Sequence, residues 1–194
     1  LLIFNDMIDE KIAIVGGGNL GSAIAKGLVF TQSVKPESIW VTRRRAQLLS
    51  GLSQLGVTTG ADNLAAVMDA QIIFLAVKPY QIREVISEIE PVIASDAIII
   101  SLATGIDNRT LLELTGGRNA VYRAMPNTAV AIGQSMTCLS GLKASAQQDE
   151  KVKVLFEKLG SVLFIPEELM AGATVLAACG IAFALRFIRA ATQG

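Results

Sequence analysis

Residues 11–28, KIAIVGGGNLGSAIAKGL, admit few folds. The apolar run Ile12–Val15 reads as a buried strand, and residues 20–30 carry a helical pattern with the small residues Ala23, Ala25 and Gly27 on it. Between them stand three consecutive glycines. Ordering glycine costs more backbone entropy than ordering any other residue, so such a loop needs a compensating reason. The spacing Gly16-x-Gly18-x-x-Gly21 supplies one, because it directly follows a strand and opens a helix. In a dinucleotide-binding turn, Gly16 permits the tight reversal and Gly18 leaves the backbone open to a pyrophosphate. Gly21 lets the helix pack closely on the strand. The helix start, at Asn19 and Leu20, then offers unpaired N–H groups and a partial positive charge to the phosphates. The strand–turn–helix context favours this reading over a bare glycine turn.

The rest of the first 165 residues repeats the alternation. Apolar strands are expected at Ile39–Thr42 and at residues 72–77, 97–102, 120–124, 134–139 and 162–165. Helices are expected at residues 45–55, 81–89, 108–114 and 146–158. The runs IIFLAV and AIIISL are continuous rather than alternating, as strands covered on both faces should be. Helices alternating with such strands predict an α/β fold: a Rossmann-type, doubly wound, mainly parallel sheet. Pro166 opens an alanine-rich segment of different character. The expected division is a start-of-chain extension at residues 1–10, with Met7 a possible natural start, a dinucleotide-binding domain at 11–165, and the first helix of an all-helical dimerisation domain at 166–194.

Composition narrows the chemistry. The chain of 194 residues has no histidine, which excludes Ser-His-Asp and Cys-His machinery, HExxH zinc sites and any imidazole acid or base. No metal site is expected. Lys plus Arg equals Asp plus Glu, 17 against 17, so no global field points to nucleic acid. Cys138 and Cys179 lie far apart and read as buried thiols in a reducing cytoplasm. Residues 169–185 form an uncharged run of 17. With Gly172 and Gly180 inside it, burial in a protein interface is a better reading than a membrane span.

Some twenty residues past such a fingerprint, a site for NAD usually offers a carboxylate to the ribose 2′-hydroxyl. Here the second strand ends WVTRRR, and Arg43, Arg44 and Arg45 follow Thr42. Guanidinium forks suit a 2′-phosphate, which favours NADP(H), with Arg43 and Arg44 as its contacts. The plainer alternative is a solvated basic loop.

Three further phrases follow successive strands: FLAVKPYQ at residues 74–81, SLATGI at 101–106 and RAMPNTAVAIGQSMT at 123–137. Together with GGGNLG, the motifs AVKP, SLATGI and MPNTA resemble those of the pyrroline-5-carboxylate reductase family, whose forms are G-x-G-N-M-G, A-V-K-P, S-x-x-A-G-I and M-P-N-T-P. The resemblance implies hydride transfer from NADPH to the C=N carbon of a cyclic imino acid, Δ1-pyrroline-5-carboxylate, giving proline. It implies that Lys78 and Asn127 lie beside the nicotinamide and ribose, that Ala76, Val77 and Pro79 shape the same wall, and that Ala103 and Thr104 lie near the nicotinamide. Met125 and Pro126 would hold the Asn127 loop. Glu167 and Thr174 match the family segment that supplies the substrate cradle and the dimer core, which makes Lys78, Asn127, Glu167 and Thr174 the catalytic candidates. Self-association, most simply as a homodimer, is expected through residues 169–188.

That last segment also departs from the family pattern. The family Asp is Ala171, its Ser-Gly-Ser is Ala177-Ala178-Cys179, and its Pro is Ile181. Serine hydroxyls are lost, and replacing glycine and proline lets one continuous helix run through. Two alternatives therefore stand beside the reductase: a catalytically impaired, NADP-binding, self-associating homologue, or a related NADP-dependent reductase of another imine or of coenzyme F420.

Overall fold

The computed structural model describes residues 8–194, apart from the side chains of residues 177–179 and 181. The expected extension up to Met7 and the burial of the Cys179 thiol lie outside what is described. Eight strands form one sheet: β1 (Ile12–Val15), β2 (Ile39–Thr42), β3 (Thr58–Gly60), β4 (Ile72–Leu75), β5 (Ile98–Ser101), β6 (Ala120–Met125), β7 (Ser135–Leu142) and β8 (Gly160–Phe164). Their spatial order is β3-β2-β1-β4-β5-β6-β7-β8. Every neighbouring pair is parallel except β6 with β7, so the doubly wound, mainly parallel sheet expected from the apolar runs is present.

Both faces are covered. On β1, Ile12 and Ile14 join the core beneath α1 (Asn19–Phe30) and α6 (Ala146–Glu157), while Ala13 and Val15 join the core on the opposite face. That second core holds Ile82, Val85, Ile86 and Ile89 of α4 (Ile82–Ile89) and Leu111 of α5 (Asn108–Leu114). Phe74 of β4 meets Phe156 of α6 edge to face, their centroids 5.9 Å apart. Strand residues two apart share a face, so only residues apolar at every position can serve both layers.

Several boundaries differ from the sequence expectation for local reasons. The strand expected at 72–77 ends at Leu75, since Pro79 has no N–H and residues 76–78 turn toward a 3₁₀ turn, Pro79–Gln81. The helix expected at 45–55 is a 3₁₀ turn, Ala46–Leu49, running into the one-turn α2 (Ser50–Ser53). Its serines and Gly51 are poor helix formers, and Gly56, at φ +87°, ends it. Two short elements, β3 and α3 (Asn63–Val67), fill residues 58–67, where no strand or helix is expected from the sequence. Asp62 caps α3 by accepting the Ala65 N–H at 3.0 Å.

After Pro166 the chain is helical to Gln193: a 3₁₀ turn, Glu167–Leu169, then α7 (Met170–Ala173), a π-helical stretch, Thr174–Cys179, and α8 (Gly180–Gln193). The continuous helix is thus present, with wider π turns where serine and glycine were replaced. Residues 182–194 are all exposed. Among the described residues, no helix is long and apolar enough to cross a membrane.

Candidate functional site

The sheet reverses its winding direction between β1 and β4, and open α/β sheets bind ligands at such a point, beyond the strand C-termini. A cleft of about 910 Å³ lies there. It brings together Gly16, Gly18, Asn19 and Leu20 from the first turn, Arg43 and Arg44 from the end of β2, Ala76–Pro79 from the end of β4, and Ala103 and Thr104 beyond β5.

The three glycines differ in what surrounds them. Gly16 has φ +109°, and a Cβ there would lie 2.6 Å from the Ala76 carbonyl oxygen. A Cβ on Gly21 would lie 2.2 Å from the Gly16 oxygen, so this glycine sets the approach of α1 to the turn. A Cβ on Gly18 would meet nothing within 4 Å, which leaves room on the cleft side for a ligand. Gly18 is also the N-cap of α1 and provides no side-chain cap. The first N–H groups of α1 are left for a ligand or water.

Beside the glycine turn, the Arg43 guanidinium donates to the Gly17 carbonyl at 3.1 Å. Arg44 is exposed, with its Nη2 3.8 Å from Glu84 Oε1. Thr42 donates to Asn63 Oδ1 at 2.6 Å, and Asn63 Nδ2 donates to Glu88 Oε2 at 2.9 Å. Asn63, Glu84 and Glu88 were not legible as site residues. They come from elements that only the topology carries to this cleft.

The four catalytic candidates are not gathered in one place. Lys78 lines the cleft, exposed, its backbone N–H donating to Gln81 Oε1 at 3.3 Å. Asn127 is not among the cleft residues. Its side-chain oxygen accepts the Ala129 N–H at 3.0 Å and caps a 3₁₀ turn, Thr128–Ile132. Glu167 forms an ion pair with the buried Arg123 and accepts from Asn108 Nδ2 at 2.6 Å. Thr174 donates to the Met170 carbonyl one turn back, at 2.8 Å. Nearby, Cys138 packs with Met125 and Met170, and burial pushes its thiol pKa up. Among the described residues, no group of three or more His, Cys, Asp or Glu side chains is placed to hold a metal ion.

Comparison with known proteins adds to this geometry. Residues 11–105 match the family model described as NADP oxidoreductase coenzyme F420-dependent. Pyrroline-5-carboxylate reductase 2 of Dictyostelium discoideum is 33% identical over 99% of this chain and 70% of its own length. Pyrroline-5-carboxylate reductase 1 of the same organism is 35% identical over 97% of this chain, but the chain spans only 36% of that protein. The crystal structure of Plasmodium falciparum pyrroline carboxylate reductase with NADP bound superposes with a TM-score of 0.86 at 26% identity, covering 95% of this chain and 68% of the other.

Proposed function

The chain belongs to the pyrroline-5-carboxylate reductase family, and on that footing we propose that it binds NADP(H) in the cleft at the β1–β4 crossover and reduces Δ1-pyrroline-5-carboxylate to proline. One observation carries the cofactor assignment: the open space beside Gly18, at an uncapped helix start, with Arg43 and Arg44 lining the same cleft. A diphosphate would lie against the backbone amides of Asn19 and Leu20. A 2′-phosphate would draw on Arg43 and Arg44. Ala76, Val77, Pro79 and Ala103 form the apolar wall suited to a nicotinamide ring.

The bound dinucleotide supplies a hydride, and the chain's task is to position an electrophilic carbon and exclude competing water. This fits a chain without histidine, since a protonated cyclic imine needs orientation more than a strong acid or base. Lys78 lines the cleft beside this wall, where its ammonium can attract an anionic substrate. The domain division at Pro166 and a cytoplasmic location, with Cys138 a free thiol, belong to the same reading. So does self-association through residues 169–188, supported by the exposed Leu169, Val175, Leu176, Phe183, Phe187 and Ile188.

A second reading, a dinucleotide-binding homologue without turnover, is favoured by the commitments of Glu167 to Arg123 and of Thr174 to Met170. The deciding experiment follows NADPH absorbance with and without pyrroline-5-carboxylate. Turnover is the expected result. Saturable NADPH binding without turnover would establish the second reading, and no binding at millimolar NADPH would overturn both.

A further inference from the structure

The end of β2 lacks the carboxylate that a plain ribose usually finds there, but the fold brings two carboxylates to the same cleft from α4. Glu84 and Glu88 stand one turn apart, on the side of α4 away from its buried isoleucines. Both line the cleft. Glu84 faces Arg44 at 3.8 Å. Glu88 reaches Asn63 at 2.9 Å, and Asn63 in turn holds the hydroxyl of the buried Thr42, the residue from which the arginine run departs. Three arginines and two glutamates therefore share one end of the cleft.

We propose that Glu84 and Glu88 set how sharply this cleft distinguishes a dinucleotide carrying a 2′-phosphate from one without it. The proposal rests on the dinucleotide reading above. A 2′-phosphate carries nearly two negative charges at neutral pH. To engage Arg44 it must displace Glu84 and then remain beside that carboxylate as a like charge. A 2′-hydroxyl meets no such opposition. Glu84 thus blunts the preference that the arginine run confers. Glu88 is a positioning residue: acting through Asn63, it fixes Thr42 and hence the origin of Arg43 and Arg44.

Isothermal titration calorimetry reports the binding of either dinucleotide without a label. Titrations with NADPH and NADH are expected to show Glu84→Gln tightening NADPH about two- to fivefold while NADH changes little, the scale of an exposed ion pair. The gain should shrink at 1 M salt, where screening shortens to about 3 Å. It should vanish in an Arg44→Ala background. Glu88→Gln, whose amide oxygen still accepts from Asn63, should keep both affinities, whereas Glu88→Ala should weaken NADPH more than NADH. The proposal is overturned if Glu84→Gln moves both cofactors equally, moves neither, or acts undiminished without Arg44, or if Glu88→Ala leaves the ratio of the two affinities unchanged. A wild-type chain that binds neither dinucleotide removes the reading beneath it, and that result is distinct from all the others.

Discussion

Gly16 and Gly18 stand two residues apart and should respond differently to one added methyl group. At Gly16 the backbone is left-handed and the methyl would press on the Ala76 carbonyl. Gly16→Ala is expected to cost about 2–3 kcal/mol of stability in urea unfolding, from strain and overpacking together. At Gly18, φ is −76° and the methyl meets open space, so Gly18→Ala should leave stability within about 0.5 kcal/mol. Dinucleotide affinity should nevertheless fall at least about tenfold, since the methyl occupies the phosphate's approach. Equal stability losses at the two positions would contradict this division. Asp107 gives a pH-dependent case. Its carboxylate caps α5 by accepting the Thr110 N–H at 2.7 Å, and that bond holds its pKa below the usual 3.8. A carboxylate depressed in the folded state adds stability above its unfolded pKa and loses it as pH falls through the folded value. Asp107→Asn should therefore flatten the acid limb of the stability curve below about pH 4 and leave the neutral region little changed. Residue roles were legible where backbone sterics dictate them, as at the glycines. They were less legible for Asn127, since nothing in MPN says that its side-chain oxygen accepts the Ala129 N–H.

Strands with continuous apolar runs could be read directly, because a residue facing either layer must be apolar and no other element demands that at every position. β3 could not, since Thr58–Gly60 lies at the sheet edge with little burial and its residues carry no face pattern. The same limit hid Asn63 and Glu88, whose partnership depends on α3 and α4 being neighbours. Glu167 shows the converse. Its match to the family segment was visible, but its partners were not: Asn108 at the start of α5 and Arg123 on β6 pin the turn after Pro166 to the sheet. The Arg123 side chain is only 9% exposed, so removing its carboxylate strands a buried charge. Glu167→Ala should lower stability by about 2–4 kcal/mol, and the pair Arg123→Met with Glu167→Leu should recover most of that loss. A double-mutant cycle by urea denaturation measures this. If Glu167→Ala leaves stability unchanged while turnover disappears, the carboxylate serves chemistry rather than anchorage.

Across the whole molecule, burial divides at Pro166. The two cores on either face of the sheet are filled by residues preceding it, and the helical segment beyond contributes Met170 to a small cluster with Met125 and Cys138. From there the helix leaves the sheet. Phe183 and Phe187, one turn apart on α8, are 73% and 75% exposed. Scattered surface apolar residues need no explanation, but an apolar segment of this kind supports the proposed self-association. That the segment is apolar was plain from its composition. That residues 182–194 are exposed on every side of the helix was not, because it depends on the segment leaving the sheet after Met170. Sedimentation velocity should show concentration-dependent self-association, and Phe183→Lys with Phe187→Lys should abolish it while NADPH affinity stays within about twofold, because neither residue touches the cleft. If the double variant also lost NADPH, binding at the crossover would depend on the arm, and the separation of cofactor site from assembly surface at Pro166 would have to be abandoned.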